Sequence, residues 1–267
     1  MNNDTPIIEV RNLVAKYGDH TVLEDISTDI YPSEIRVVLG TSGCGKTTFL
    51  KNIIGLVTPF SGTVKMFGQL MGELDSEGTS QILKKIGITF QNGALLGSLT
   101  SGENVALPLK MHTSLPDNVI EEIVQLKLAQ VDLPNAAHLY PGELSGGMRK
   151  RVAVARALVL DPPLLFCDEP SAGLDPVTSN GLDNLLLKLR DSLGITIVVI
   201  THELLSIEKI ADKIIFLQKG KLLFDGRLDD ARAVKGGPVY DFFKRKPPVA
   251  ESNTDSSSPF FHVENVT

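Results

Sequence analysis

The chain has 267 residues, of which 42% are hydrophobic and 22% charged, a composition that excludes a wholly disordered or fibrous protein. Lysine and arginine total 26 against 32 aspartates and glutamates, and the net charge of −6 argues against nucleic acid as a partner. The apolar runs are far shorter than the roughly 18 residues of a membrane helix, and the start lacks the pattern of a secretory signal, so we expect a cytoplasmic protein.

The first elements in chain order are expected to be antiparallel strands. Apolar and polar residues alternate from Ile8 to Leu13, and residues 65–68 could continue that part. Short apolar runs at 35–39, 164–167 and 195–200 are each followed by a turn signal and then an amphipathic stretch. This alternation predicts an α/β domain built on a largely parallel sheet, with the antiparallel strands added at one side.

The middle and the end of the chain depart from this pattern. Between about residues 95 and 155, helical periodicity continues without a convincing strand, which predicts a helical subdomain inserted into the α/β core. Residues 229–234 and 239–243 can form short helices. From residue 247 onward Ser, Thr and Pro favour a mobile tail, while the Phe260–Phe261 pair leaves open a second hypothesis, that the tail docks on a neighbouring subunit.

The strongest motif follows the strand predicted at 35–39. Residues 40–47 fit the phosphate-binding pattern G-x-x-x-x-G-K-S/T between a strand and a helix, where glycines let backbone N–H groups turn toward phosphate oxygens. Lys46 is expected to reach the β- and γ-phosphates and the Thr47 hydroxyl to bind Mg²⁺. The alternative is a glycine-rich turn before a helix. The predicted nucleotide-binding residues of this segment are Gly40, Thr41, Ser42, Gly43, Cys44, Gly45, Lys46, Thr47 and Thr48.

Two carboxylates end the strand predicted at 164–167. In an α/β sheet, carboxylates at the carboxyl edge of a strand lie beside bound phosphates. Asp168 is predicted to hold Mg²⁺, and Glu169 to orient and deprotonate the attacking water. An ordinary turn after a strand is the alternative, and the phosphate-loop pattern favours the catalytic interpretation.

A third motif, L-S-G-G-M at residues 144–148, stands at the start of a predicted helix. With it, the sequence resembles the ATP-binding subunits of ABC transporters over about residues 7–225. The family motif is L-S-G-G-Q, so Met148 is a departure, which removes a polar side chain and leaves the serine and the backbone donors. The resemblance implies that Ser145, Gly146 and Gly147 present a helix N-terminus to the γ-phosphate of ATP held by a second copy. The basic run 149–151 that follows is interpreted as a solvated helix face.

Four single positions match the family in order and spacing. The resemblance implies that Tyr17 stacks on adenine, that Gln91 senses Mg²⁺ and the transport partner, and that Asp175 belongs to the nucleotide site. It implies that His202 joins Glu169 and Lys46 as a catalytic residue. Taken singly, such residues are more often packing or surface groups.

The resemblance implies a P-loop NTPase (RecA-like) core with an antiparallel β subdomain and an inserted α-helical subdomain. The expected divisions are the core at 1–94 and 155–226, the helical subdomain at 95–154, a C-terminal helical extension at 227–246 and the mobile tail at 247–267. One chain carries one set of motifs, so the resemblance also implies a homodimer that encloses two ATP molecules with Mg²⁺.

Residues 90–100 and 103–109, together with 144–151, resemble the ATPases of Mla-type phospholipid transport systems. That resemblance implies a peripheral position on the cytoplasmic face of the inner membrane. The implied partners are integral membrane permease subunits and, through them, a periplasmic MCE-type lipid-binding protein, without nucleic acid. We expect apolar residues of this region to supply a groove for a cytoplasmic helix of the permease, and about half of the candidates to cover the core instead. The candidates are Leu95, Leu96, Leu99, Val105 and Leu107.

Three classes of function stay open at this point: a transport ATPase, a soluble ATP-driven clamp in DNA repair or cofactor assembly, and an ATP-binding regulatory module without turnover. Within transport, amino-acid import and lipoprotein export are the alternatives to phospholipid transport. A DNA-repair clamp would interrupt the motifs with a long heptad insertion, which this sequence lacks. A module without turnover would usually lack Glu169 or His202, and both are present.

Overall fold

The computed structural model describes residues 5–244. Within that range the strands are β1 (Ile8–Tyr17), β2 (His20–Ile30), β3 (Ile35–Gly40), β4 (Ser61–Met66), β5 (Gln69–Leu70), β6 (Ile86–Thr89), β7 (Leu164–Asp168), β8 (Thr196–Ile200), β9 (Lys213–Gln218) and β10 (Lys221–Arg227). The α-helices are α1 (Lys46–Ile53), α2 (Ser76–Leu83), α3 (Ser101–His112), α4 (Asp117–Gln130), α5 (Gly146–Ala157), α6 (Pro176–Leu193), α7 (Leu204–Ile210), α8 (Leu228–Ala233) and α9 (Gly237–Lys244).

Six strands form the central sheet in the order β10-β9-β3-β8-β7-β6. The strands from β9 to β6 are parallel, and β10 pairs antiparallel with β9 at one edge. β3 and β8 are buried along their whole length because their sequences, IRVVLG and TIVVI, are almost continuously apolar rather than alternating. The expectation of an α/β domain on a largely parallel sheet is confirmed.

A second, antiparallel sheet has the order β2-β1-β4-β5, with β1 paired to both β2 and β4. The strand expected near 65–68 begins earlier, at Ser61. It ends at Met66 because Phe67 and Gly68 both take positive φ, 51° and 77°, in the turn to β5. This sheet carries Tyr17 at the end of β1.

The central sheet is covered on both faces. Val37 and Leu39 of β3 join an apolar cluster that includes the helical region, whereas Val38 joins the cluster formed with α1 and the antiparallel sheet. Successive residues of a strand point to opposite faces, so a single strand supplies both cores.

Arg36 of β3, 2% exposed, connects the two sheets through its guanidinium. It pairs with Glu34 at 3.0 Å and with Asp225 of β10, and it donates to the carbonyl oxygen of Asp29 in β2 at 2.6 Å. A buried cation needs several such partners to offset the loss of hydration. The network holds β2 against the core, and with it the turn between β1 and β2 that carries Tyr17.

Residues 95–154 contain α3, α4 and most of α5 and no strand. Thr100 caps α3 in a reciprocal capping box with Glu103. Ile120, Val124 and Leu128 form the buried stripe of α4 and belong to the same apolar cluster as the central sheet. The helical region therefore packs directly on the core.

The C-terminal helices return to the core. Phe242 of α9 contacts Phe216 of β9 edge to face, with ring centroids 5.7 Å apart. None of the helices within residues 5–244 is both long and apolar enough to cross a bilayer. The tail at 247–267 and its Phe260–Phe261 pair lie outside the described residues, so the docking hypothesis stays a prediction.

Candidate active site

The loop between β3 and α1, residues 40–45, makes backbone contacts that only glycine allows. Gly40 has φ 150°, and a Cβ there would lie 2.0 Å from the carbonyl oxygen of Leu217 in β9. Gly45 has φ 105°, and a Cβ there would lie 2.6 Å from the side chain of Leu23 in β2. The loop is therefore held between two strands, with its backbone N–H groups at the N-terminus of α1.

Lys46 is the first residue of α1, and its side chain folds back over this loop. Nζ donates to the carbonyl oxygens of Gly40 at 3.0 Å and Thr41 at 3.2 Å. Thr47, beside it, is exposed. Cys44 is buried, and burial raises the pKa of its thiol, so this residue contributes its backbone rather than a thiolate.

The two predicted carboxylates lie at the end of β7. Burial, and then the neighbouring Glu169, raises the pKa of Asp168. Glu169 has φ 46°, a left-handed backbone uncommon outside glycine, and its N–H donates to the carbonyl oxygen of Ile200 at 2.8 Å. Oε1 of Glu169 lies 2.9 Å from Nδ1 of His202, and Oε2 is buried without a hydrogen-bond partner among residues 5–244.

A cleft of about 480 Å³ lies beside these groups, although Cys44, Thr47 and Asp168 are not part of its lining. The predicted site residues that line it are Gly40, Thr41, Ser42, Lys46, Glu169 and His202. Residues that sequence reasoning missed also line it, from β9 (Phe216, Gln218) and α9 (Pro238, Asp241, Phe242). The apolar run at 214–217 was the available signal for β9, whereas no local pattern predicts that α9 borders the cleft.

Three of the four single matched positions, Tyr17, Gln91 and Asp175, lie outside the lining of this cleft. Tyr17 is 50% exposed at the end of β1. Asp175 caps α6 by accepting from the N–H groups of Val177 and Thr178, both at 3.0 Å. The hydrogen bond from the Thr178 hydroxyl lowers the pKa of Asp175.

The L-S-G-G-M segment also lies apart from the cleft of its own chain. Ser145 caps α5 by accepting from the N–H of Met148 at 3.2 Å. A Cβ on Gly147 would lie 2.3 Å from Cγ2 of Thr178, so glycine is needed where α5 meets α6. Met148 is partly buried and packs against the central apolar cluster, so the side chain that departs from the family motif contacts apolar residues.

The interpretation of residues 149–151 as a solvated helix face is wrong for Lys150 and Arg151, which are partly buried, whereas Arg149 is exposed. Lys150 Nζ donates to the carbonyl oxygens of Gln91 and, at 3.2 Å, of Glu169, and burial lowers the pKa of Lys150. Arg151 pairs with Asp132 at 2.8 Å and donates to the carbonyl oxygens of residues 131 and 181. The prediction failed because these side chains bind backbone carbonyls of distant segments, and the local sequence does not indicate such partners.

A family model described as ABC transporter matches residues 23–172, more than half of the chain. The chain belongs to the ABC transporter family. Since the ABC family hydrolyses ATP, the chain is an ATP-binding ATP hydrolase, and the P-loop fold with an antiparallel β subdomain and an inserted helical subdomain is confirmed.

Two curated ABC relatives are named intermembrane phospholipid transport system ATP-binding protein MlaF. The Haemophilus influenzae protein is 37% identical over 89% of this chain and 90% of its own length. The Escherichia coli protein is 35% identical over 87% of this chain and 85% of its own. A probable ribonucleotide transport ATP-binding protein, mkl of Mycobacterium leprae, is 39% identical over 82% of this chain, which spans 63% of the relative's length.

Solved ABC structures share the fold. A dimeric, post-hydrolysis state of the ATP-binding cassette MJ0796 bound to ADP and Pi has a TM-score of 0.75 and 31% identity, and the match covers 83% of this chain and 98% of the cassette. The protein cbiO1 from Clostridium perfringens, part of the ABC transporter complex cbiONQ, has a TM-score of 0.80 and 28% identity, and the match covers 86% of this chain and 92% of cbiO1.

Proposed function

We propose that this ABC ATPase forms a homodimer around two ATP molecules and drives a membrane permease that moves phospholipid between the inner and outer membranes. The observation that carries the catalytic part is Glu169, which lines the cleft with Lys46 and whose buried Oε2 has no hydrogen-bond partner among residues 5–244. A buried oxygen left unpaired costs about 1–3 kcal/mol, and a water attacking the γ-phosphate would supply the missing hydrogen bond. Glu169 then acts as the general base.

The other residues of the cleft have complementary roles. Lys46 and the backbone N–H groups of residues 40–48 hold the phosphates. Transfer of the γ-phosphoryl group to water then requires mainly positioning of the reactants and stabilisation of the developing charge. His202, at 2.9 Å from Oε1, orients the Glu169 carboxylate and leaves Oε2 free for water. Tyr17, half exposed on its hairpin, stacks on the adenine.

Three groups fit a magnesium ion. The hydroxyl of Thr47, the amide oxygen of Gln91 and the carboxylate of Asp168 are hard oxygen donors of the kind Mg²⁺ prefers, and all three lie outside the fully buried interior. When bound, Mg²⁺ neutralises charge that develops on the β- and γ-phosphate oxygens. Asp168 is half-buried beside Glu169, a setting in which an ion would favour its charged form.

The dimer follows from the separation of the motifs. Ser145, Gly146 and Gly147 do not line the cleft of their own chain, so a second copy must bring its own segment to the phosphates. The dimeric ADP-bound cassette MJ0796 supports this arrangement. A twofold interface then builds two equivalent sites, each with residues of both copies.

We place the permease in a groove of about 610 Å³ between the core and the helical region. The five apolar residues expected to supply a groove, at positions 95, 96, 99, 105 and 107, do not line it. Pro108 and His112 of α3, Leu83 of α2, and Arg156 and Leu160 line it. Arg156 also binds the carbonyls of the loop after Gln91, which connects the groove to the nucleotide site. We propose that a cytoplasmic helix of the permease occupies it, which makes the chain a peripheral protein of the inner membrane.

Phospholipid as the transported compound is supported by two MlaF relatives that match almost their whole length, 90% and 85%. The MCE-type lipid-binding protein belongs to the same proposal, as a partner reached through the permease. Amino-acid import is the second candidate, because the methionine import protein MetN of Lactobacillus johnsonii is 37% identical over 83% of this chain, which spans 64% of MetN.

Two measurements test these proposals separately. Glu169→Gln keeps the shape and the contact to His202 but removes the base, so ATP should still bind while turnover falls at least ~100-fold. Near-normal turnover would refute the catalytic assignment. For the transported compound, the chain is purified with its membrane partners in mild detergent, and bound lipids and subunits are identified by mass spectrometry. Co-purified phospholipid with an MCE-type protein supports lipid transport, and an amino-acid-binding subunit supports import.

A further inference from the structure

Two cations of α5 bind the loop that follows β6. Lys150 Nζ donates to the carbonyl oxygen of Gln91, and Arg156 donates to the carbonyl oxygens of Gly93 and Ala94, both at 2.7 Å. Gly93 and Ala94 have positive φ values of 73° and 48°, so their carbonyls turn away from regular secondary structure and need partners elsewhere. α5 supplies those partners at two points six residues apart.

Lys150 reaches a second motif as well. Its Nζ lies 3.2 Å from the carbonyl oxygen of Glu169, the residue with the left-handed backbone. In a residue other than glycine, such strain of about 1–3 kcal/mol persists only where the surroundings fix it. The N–H of Glu169 is held by Ile200 and its carbonyl by the N–H of Ala172 at 3.2 Å together with Lys150.

We propose that Lys150 is a positioning residue for ATP hydrolysis, which sets the backbones of Glu169 and Gln91 relative to each other through their carbonyl oxygens. The inference rests on the roles proposed above for Glu169 and Gln91. The hydrogen bonds of Lys150 within residues 5–244 go to neutral carbonyls of the two site segments, those of Gln91 and Glu169. A displacement of about 1 Å in a reacting group can cost roughly 100-fold in rate, so loss of this bridge should slow the chemistry.

The geometry also explains why α5 is suited to this task. The helix begins at the Ser145 cap, so the segment proposed to meet the γ-phosphate of the second copy and the cation that holds Glu169 belong to one rigid element. A rotation of α5 relative to the core would move the Gln91 loop and the Glu169 carbonyl together. A lysine that only filled space between helix and loop would affect stability and leave the rate of hydrolysis unchanged.

The first test uses the full chain with three substitutions. Lys150→Met removes the donors at similar length, and Lys150→Arg keeps donors. Lys188→Met is the control, since Lys188 is exposed on α6 and, within residues 5–244, pairs only with the exposed Asp132. We expect Lys150→Met to lower kcat roughly 10- to 100-fold while KM and the affinity for a fluorescent ATP analogue change less than about threefold. Lys150→Arg should recover part of kcat, and Lys188→Met should match the unchanged protein.

The second test asks whether Lys150 acts through Glu169. Single-turnover hydrolysis is compared for Lys150→Met in the unchanged chain and in the Glu169→Gln background, where the penalty should nearly vanish. An equal fall in both backgrounds, or an unchanged kcat in folded Lys150→Met, overturns the proposal. If Lys150→Met does not fold, Lys150→Gln replaces it, because its shorter side chain cannot reach both carbonyls, and normal turnover there overturns the proposal too. Normal turnover of Glu169→Gln alone would instead refute the base assignment.

Discussion

Leu96 tests whether the permease contact extends from the proposed groove to the loop after Gln91, which Arg156 of the groove holds through the carbonyls of Gly93 and Ala94. Of the five apolar residues expected to supply the groove, Val105 is fully buried and Leu95 packs against the core, whereas Leu96 is 47% exposed. Its backbone is fixed, because its N–H donates to Oδ1 of Asn104 at 2.8 Å and its carbonyl accepts from Nδ2 at 3.1 Å. The side chain can therefore be changed without disturbing the loop.

The expected loss of permease affinity follows from the exposed half of the Leu96 side chain. Burial of a whole leucine side chain contributes about 1.5–3 kcal/mol, so a partner that covers the exposed half gains about 1 kcal/mol. Leu96→Ala should then weaken permease binding about fivefold. Leu96→Glu should weaken it at least ~10-fold, because the contact would also bury a carboxylate without a partner. The free energy of unfolding should change by no more than about 0.5 kcal/mol for an exposed position.

The assay titrates each purified variant against detergent-solubilised permease, with nucleotide affinity and urea denaturation measured in parallel. Leu126→Glu is the matched control, since Leu126 is 64% exposed on α4, beside a different groove. Full permease binding by folded Leu96→Glu would refute a permease contact at the loop after Gln91. Equal loss of binding in Leu126→Glu would show that the effect is one of surface charge alone.

The phosphate loop and the paired carboxylates were predictable because the chemistry is encoded within a few consecutive residues. The conformations at Gly40 and Gly45 require glycine, and Lys46 follows directly in the first helical turn. Likewise, a buried strand that ends in Asp168 and Glu169 places both carboxylates at the edge of the sheet. The left-handed backbone of Glu169 was not predictable, because glutamate carries no signal for it.

The contacts of α5 illustrate what a single sequence conceals. A lysine and two arginines in a row are typical of a solvated surface, yet Lys150 and Arg151 bind backbone carbonyls of segments distant in the chain. Carbonyl oxygens are present at every residue, so no pattern of side chains marks the ones that a cation will reach. Met148 is a second example, since only the packed structure shows that position 148 contacts apolar residues.

Three further outcomes follow from the described contacts. Tyr17→Ala should lose about 1–2 kcal/mol of ATP affinity in titration with little change in thermal stability, while the phenylalanine variant retains stacking. A variant that lowers the melting temperature but leaves the ATP affinity of the folded protein unchanged would refute stacking. Ser206 Oγ donates to both carboxylate oxygens of Asp183 at 2.9 Å, so Ser206→Ala should lower the free energy of unfolding by about 1–3 kcal/mol in urea. Burial raises the pKa of Asp183, so this carboxyl group favours folding below its unfolded pKa and loses that contribution as pH rises through its folded pKa. The loss of stability caused by Ser206→Ala should therefore grow with pH. A loss that does not depend on pH would refute this role of the Asp183 carboxylate. Finally, burial raises the pKa of Cys44 and raises that of Cys167 to about 12. Because the thiolate is the nucleophile, iodoacetamide at pH 8 should leave both thiols of the folded chain unmodified and label both in urea. Rapid labelling of Cys44 in the folded chain would mean that its side chain faces the phosphates, and the assignment of that residue to a backbone role would fail.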